Sequence, residues 1–163
     1  MKVSVTDRQR SAKVDCQSLG QIVRHVMQHV KPPQPAVAWE GLSVILTDDA
    51  LIRRVNQEFL SHDETTDVIS FAYYALPGQE GEATGEIFVN VQQALRLGPR
   101  YGGPARELAL YAAHGCDHLS GADDTTPVER RRMRDRECRW LRSPEVRRLM
   151  RGLVRSRTQR QPG

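Results

Sequence analysis

Two histidines and an aspartate stand close together in the second half of the chain: His114, His118 and Asp124. Residues four apart on a helix lie on one face, one turn from each other. Gly121 follows, and glycine accepts the left-handed backbone that ends a helix. The chain can then turn back and bring Asp124 toward the two imidazoles. Two neutral imidazoles and a carboxylate form a three-ligand set for zinc or a similar divalent ion. Three protein ligands leave a coordination position open to water, which suits hydrolysis better than structural support. The spacing therefore predicts a metal-dependent hydrolase holding one ion per chain.

The pattern His-x3-His-x2-Gly-x2-Asp has the ligand spacing of the metzincin proteases, with Asp in the last position. Those enzymes carry a general-base Glu directly after the first His. Gly115 stands there instead, which weakens a peptidase reading. A glycine inside a helix costs about 1 kcal/mol relative to Ala. Close approach of another part of the chain would compensate for it. Cys116 falls about 200° around the helix from His114 and is expected to face away from the ligands. With Cys16 and Cys138 it makes an odd, scattered set, neither a disulfide framework nor a paired thiolate zinc motif. His25 and His29 are also four apart, but no third ligand is near them in sequence and no function is assigned to them.

The 163 residues suffice for one domain with one core. No apolar run approaches the length of a membrane span, and the first residues lack the apolar core of a signal peptide, so a cytoplasmic location is expected. The formal charge of +4 is unevenly spread. Residues 129–163 carry 13 Arg against 4 acidic residues, a net of +9, and residues 1–128 carry 11 basic against 16 acidic residues, a net of −5. A basic tail on an acidic body points to a polyanion, with nucleic acid the leading candidate. A solvated arginine-rich helix face would give the same composition.

The elements that must position the three residues can be read from periodicity. Val3 and Val5 alternate with polar residues as in a strand, and Leu19, Ile22, Val23, Val26 and Val30 recur at helical spacing before Lys31–Pro35. Ser43–Leu46, Val68–Tyr73 and Ile87–Val91 read as strands. Thr47–Asp49 caps a helix striped by Leu51, Ile52, Val55 and Phe59, and Pro77–Glu82 is a loop. Gly103-Pro104 opens the histidine helix, and Thr126-Pro-Val-Glu129 resembles a capping box. Asp124 therefore falls in a short connection between two helices. Val128, Met133, Trp140 and Leu141 are the expected apolar contacts of the second helix. The order β-α-β-α-β-β-α-α predicts an α+β fold: a small mixed β-sheet covered by helices, with the histidine helix followed by a C-terminal helix. The expected division is a domain over 1–142 and a basic tail over 143–163, in which Val146, Leu149, Met150, Leu153 and Val154 are the helical anchors. Arg155–Gly163 are expected to be disordered.

The block His114-Gly-Cys-Asp-His118-Leu-Ser-Gly121-Ala-Asp-Asp124 resembles the YbeY-type endoribonucleases, bacterial rRNA-maturation factors. Their signature is usually His-Gly-x-Leu-His-Leu-x-Gly-Tyr-Asp-His. Thr66–Phe71 is similar to the family's Thr-Asp-Val-Leu-Ser-Phe, Gly85–Ile87 to its Gly-Asp-Ile, and Val55-Asn56 to its Leu-Asn. Met133 and Glu137 fit its next helix, so the likeness spans roughly residues 3–142.

The resemblance implies an α+β fold, a zinc ion held by His114, His118 and Asp124, and endonucleolytic action in rRNA processing, with rRNA or ribosomal particles as partners. C-terminal arginines would hold the RNA backbone. A non-catalytic assembly factor braced by zinc is the alternative, and a zinc peptidase a weaker one. Asp124 replaces the usual third His and makes the ligand set harder. Asp117 replaces Leu and either accepts from an imidazole N–H or stays solvated. Leu60, after Phe59, replaces an Arg of many members that is a candidate phosphate contact. His62-Asp63 reads as a surface loop or a polar contribution to the cleft. Thr66 and Asp67 either line the site or fix the turn into the strand. No residue of the sequence is assigned as the general base.

Overall fold

Trp39–Thr47 alternates buried Leu42, Val44 and Leu46 with more accessible residues, the period of a strand with its main core on one face. This strand, β3, lies inside a four-stranded sheet of order β1-β3-β5-β4. The elements in chain order are β1 (Lys2–Asp7), β2 (Ala12–Val14), α1 (Cys16–Met27), β3, α2 (Asp49–Leu60), β4 (Val68–Tyr73), β5 (Ala83–Asn90), α3 (Val91–Leu97), a 3-10 turn (Gly98–Arg100), α4 (Pro104–Leu119), α5 (Pro127–Trp140), α6 (Pro144–Met150) and β6 (Val154–Ser156). The structure, a computed structural model, describes residues 1–33, 37–75 and 81–157. β1, β3 and β5 run parallel and β4 antiparallel to β5. The expected mixed sheet in an α+β fold is therefore present.

The sheet is covered on both faces. Val3, Leu42, Val44, Leu46, Ile87 and Val89 join residues of α1, α3, α4 and α6 in the main core. Ile69 instead meets Ile52 and Val55 of α2, with Phe71 and Phe88 alongside. α4 is buried almost all round, including Leu108, Ala109, Ala112, Ala113, Cys116 and Leu119. A helix apolar on every side belongs at the centre of a fold, and α4 packs against β4, β5, α1, α3 and α5. Its position is fixed before any ligand is considered.

The capping signals act where the spacing predicts. The Asp48 carboxylate accepts from the Leu51 N–H at the start of α2. Thr126 and Glu129 form a reciprocal capping box at α5, with Pro127 at its first position. Gly121 has φ 85° and ends α4 with its N–H on the His118 carbonyl.

Some expectations differ from the structure. α1 begins at Cys16, because the Asp15 side chain accepts from the N–H groups of Gln17 and Ser18. α1 ends at Met27, and residues 34 and 35 of the Lys31–Pro35 stretch lie outside the described residues. Most of the Pro77–Glu82 loop does too. Val128 is 59% exposed and is no core contact, whereas Met133, Trp140 and Leu141 are buried. The short strands β2 and β6, too brief to show a period, pair antiparallel, and α3 follows β5 without a break.

Past residue 142 the chain folds back onto the body. Val146 and Leu153 are fully buried in the main core, and Arg155 and Ser156 lie in β6 rather than in a disordered end. Two apolar anchors outweigh the repulsion among exposed arginines that reach water. Residues 158–163, including Arg160, lie outside the described residues.

Gly115 explains how α4 lies so close to the sheet. A Cβ there would stand 2.6 Å from Val68 Cγ2, 3.2 Å from Ser70 Oγ and 3.3 Å from Ile87 Cγ2. The Ser70 hydroxyl donates to the Gly115 carbonyl at 2.8 Å. Gly115→Ala gains about 1 kcal/mol of helix propensity and meets an overpacking cost of about 1–3 kcal/mol. The contacted Val68 is buried in a strand and gives way poorly. We expect a net loss of up to about 2 kcal/mol, read as a lower urea midpoint with an unchanged slope. A stabilised variant would show that the close approach is not a constraint.

Candidate metal centre

The last two turns of α4 carry His114 and His118, and the two rings meet edge to face with centroids 4.4 Å apart. Each ring has its Nδ1 engaged. His114 Nδ1 is 2.7 Å from the Glu137 carboxylate, and His118 Nδ1 is 3.0 Å from the Ala122 carbonyl. Both partners accept only, so in the neutral rings the Nδ1 atoms carry the protons and the Nε2 atoms carry lone pairs. The two Nε2 atoms face each other at 3.1 Å. Two lone pairs at that distance repel unless a proton or cation lies between them.

Asp124 completes the cluster. After the Gly121 turn, the Asp123 carboxylate accepts from the N–H groups of Asp124 and Thr125, which bends the chain back. Asp124 Oδ2 then lies 3.5 Å from His114 Nε2 and 4.0 Å from His118 Nε2. One ligand atom from each of the three residues lies within 4.8 Å of the others, and the group could hold a metal ion. Imidazole nitrogens with a carboxylate oxygen fit zinc in chemistry, and the fixed tautomers aim the right atoms inward.

The spacing of the three ligands does not reveal Glu137. This carboxylate is 2% exposed, and its partner is an imidazole on the neighbouring helix. Burial disfavours protonation of His114, but the Glu137 bond, with Asp67 and Asp124 nearby, overrides it and raises the His114 pKa above its ordinary value. A signal for Glu137 did exist. It is the acidic residue on the face of α5 that also carries buried Met133 and Trp140.

Asp117 takes neither expected role. It is 2% exposed and binds Arg136 of α5, with Nε 3.1 Å from both carboxylate oxygens and Nη2 2.7 Å from Oδ2. Burial pushes its pKa above the usual carboxylate range, although Arg136 opposes this. Cys116 is fully buried on the far side, and burial raises its thiol pKa. The backbone at Gly115 is pressed against β4, so the position of the metzincin base is taken up by packing.

Two cavities flank the cluster. One, of about 240 Å³, is lined by Asp67, Tyr111, His114, Asp124, Arg130 and Arg134, among others. The other, of about 580 Å³, includes Asn56, Leu60, His62, Thr66, Ser70 and His118. Leu60 is 46% exposed there, at the end of α2. Asn56 is buried and donates to the Glu64 carbonyl at 2.9 Å, tying down the loop that carries His62. Asp63 turns to Arg53, with a distance of 2.7 Å. Thr66 and Asp67 fill both of their alternative roles. Asp67 accepts from its neighbour's backbone N–H at 2.9 Å and fixes the turn into β4, while each residue lines one of the cavities. His29 stacks on Trp140 and stands apart from the cluster.

Fold and site together define an α+β domain in which a buried helix presents a converging His-His-Asp set. The family model for Endoribonuclease YbeY matches residues 4–144, and the chain belongs to that family. An Endoribonuclease YbeY of Elusimicrobium minutum is 44% identical over 102 residues, covering 61% of this chain and 71% of that protein. Those of Salinibacter ruber and a Thermoanaerobacter strain are 36% and 30% identical, covering 73% and 84% of this chain and 79% and 93% of their own. The solution structure of TM1509 from Thermotoga maritima is similar in fold, with a TM-score of 0.56 at 21% identity over 92% of each chain.

The Asp117–Arg136 pair yields a test of what clamps α5 to α4. Arg136→Ala strands a buried carboxylate. With the Arg136 side chain 37% exposed, water recovers part of the loss, and a cost of about 1–3 kcal/mol is expected. The double variant Asp117→Leu/Arg136→Met removes both charges and should lose less than Arg136→Ala alone in urea unfolding. An equal or larger loss in the double variant would mean that packing, not the stranded charge, sets the cost.

Proposed function

We propose that the protein is a metal-dependent endoribonuclease that processes rRNA precursors in the cytoplasm, with one zinc ion held by His114, His118 and Asp124. The observation that carries this reading is the pair of Nε2 atoms facing each other at 3.1 Å, with both Nδ1 atoms already taken. Nitrogen lone pairs so placed call for a proton or a cation between them, and the Asp124 carboxylate beside both supplies the third donor that a cation takes. Membership of a family whose relatives bear the name Endoribonuclease YbeY supports the substrate class. When bound, a divalent ion there supplies Lewis-acid polarisation of a phosphoryl oxygen and of an attacking water.

The chain's own residues do the positioning. Glu137 holds the His114 ring by its Nδ1–H, and the Ala122 carbonyl does the same for His118. Asp124, 36% exposed, brings the carboxylate to the open side of the cluster. The arginine-rich segment from residue 129 onward supplies cations for the RNA backbone. Among the described residues no helix is long and apolar enough to cross a membrane.

Purified protein should carry about one zinc per chain, given one three-ligand set. His114→Ala and His118→Ala should each lose it, while Asp124→His should keep it. His118→Ala should abolish metal-dependent cleavage of an rRNA precursor, with folding checked by circular dichroism. Glu137→Ala should weaken zinc binding about 10- to 100-fold, because the His114 ring loses its orienting acceptor. Full metal occupancy in the double histidine variant would sink the ligand assignment. Cleavage of peptides but not RNA by the metal-loaded protein would sink the substrate class.

Deletion of the C-terminal segment is a poor probe of RNA contacts. It would remove the buried Val146 and Leu153 along with the arginines. Point substitutions on the surface are needed instead.

A further inference from the structure

The two cavities beside the histidines differ in charge. The one on the His118 side, lined by Leu60, His62 and Glu64 among others, has no Arg or Lys among the described residues of its wall. The one on the His114 side has two, Arg130 and Arg134. These lie four apart on α5, on the face that also carries Glu137, all three within about 60° around the helix axis. Glu137 reaches down to His114, and the two arginines stand exposed along the same line. Neither guanidinium makes an ion pair or a hydrogen bond among the described residues. Arg136, by contrast, is tied to Asp117.

The cavity does not end there. Asp67, Tyr111 and Arg134 also line a further cavity, of about 560 Å³, that extends to Tyr101 and Arg106. Tyr101 is 55% exposed, and its backbone carbonyl is held by Arg106 at 2.9 Å. Tyr111 lines both spaces with Gln93 and Glu107 beside it, and its buried hydroxyl has no hydrogen-bond partner of good geometry. A groove thus leads from His114, past two unpaired guanidiniums, to an exposed aromatic ring. Cations that track a backbone, followed by a ring that can stack a base, are the pattern of single-strand recognition.

The charge balance adds a condition. Asp67, Asp124 and Glu137 set three carboxylates against Arg130 and Arg134, one formal negative charge in excess. A divalent ion on the ligand set reverses that sign. The groove then attracts an anion more strongly when the metal is loaded.

We infer that single-stranded RNA leaves the cluster along α5, with its phosphates held by Arg130 and Arg134 and a base set against Tyr101, and that this binding is coupled to metal loading. The inference rests on the endoribonuclease reading above and locates its substrate path. It assigns the main phosphate contacts to α5 rather than to the exposed arginines of α6 and β6.

The test measures binding of a fluorescent single-stranded RNA oligomer across a salt series, with cleavage of the same RNA followed in parallel. Arg130→Ala/Arg134→Ala should weaken binding and reduce the slope of log K against log salt by about 1.4, two single-strand contacts at about 0.7 each. Arg130→Lys/Arg134→Lys should keep the slope. Tyr101→Ala should weaken binding about five- to a hundred-fold, the equivalent of one lost stack. Removing zinc with a chelator should weaken RNA binding by wild type, and by linkage RNA should tighten zinc binding. Arg147→Ala/Arg148→Ala, two exposed arginines of α6, should leave the slope nearly unchanged. All variants change exposed side chains and should keep the wild-type melting temperature.

If wild type cleaves RNA but the α5 double variant keeps its affinity and slope, the path is wrong and the endoribonuclease reading stands. A loss of slope in the α6 pair as large as in the α5 pair would also overturn the path. If metal-loaded wild type neither binds nor cleaves RNA, both readings fall.

Discussion

The bond between Glu137 and His114, at 2.7 Å, is the constraint on which the candidate site depends. A carboxylate 2% exposed is costly to bury without a partner. Its partner is an imidazole on the neighbouring helix, so the cost is offset only when α5 lies against α4 in one register. The same bond fixes the His114 tautomer and points Nε2 at its counterpart on His118. A hydrogen bond to a charged group contributes about 1.5–3 kcal/mol. Its larger effect is geometric, because it sets where a cation can sit.

A second buried carboxylate repeats the device one turn away. Asp117 of α4 is bound by Arg136 of α5, next in sequence to Glu137. Adjacent residues of α5 thus engage α4 with opposite charge, Arg136 donating and Glu137 accepting. A slip of α5 by one residue in either direction would set a carboxylate, Glu137 or Asp135, against Asp117 and would take Glu137 away from His114. The pair acts as a register lock, and buried ionic groups serve specificity better than stability. On the other side of α4, Gly115 lets β4 approach until the Ser70 hydroxyl reaches its carbonyl. The histidine helix is therefore held from the sheet by close packing and from α5 by charge.

This arrangement leaves the two sides of the cluster unlike each other. The His118 side opens toward the end of α2 and the loop tied by Asn56, where Leu60 and Phe59 are exposed and no guanidinium of the described residues lines the cavity. The His114 side opens along α5, where arginines that take no part in the register lock remain free for a polyanion. One helix thus carries both the group that orients the candidate metal centre and the cations beside it. Orientation and substrate binding would then be coupled through a single rigid element.

The three candidate ligands, the caps of α2 and α5, the α+β class and the family were legible in the sequence. Each rests on local rules: ligand spacing on one helix face, a glycine that tolerates φ 85°, a capping box, and strands of period two. The partner of His114 was not legible, because Glu137 lies 23 residues away and only packing brings it to Nδ1. Asp117 could not be placed for the same reason, since its guanidinium comes from another helix. The C-terminal segment misled through composition. Its apolar anchors Val146 and Leu153 were legible and do reach the core, but the arginines that follow suggested a loose end, whereas β6 pairs with a strand more than 130 residues earlier. Local sequence thus determined which atoms could meet a cation. Only the tertiary fold decided which nitrogen each ring presents, because a tautomer is set by the acceptor that packing delivers.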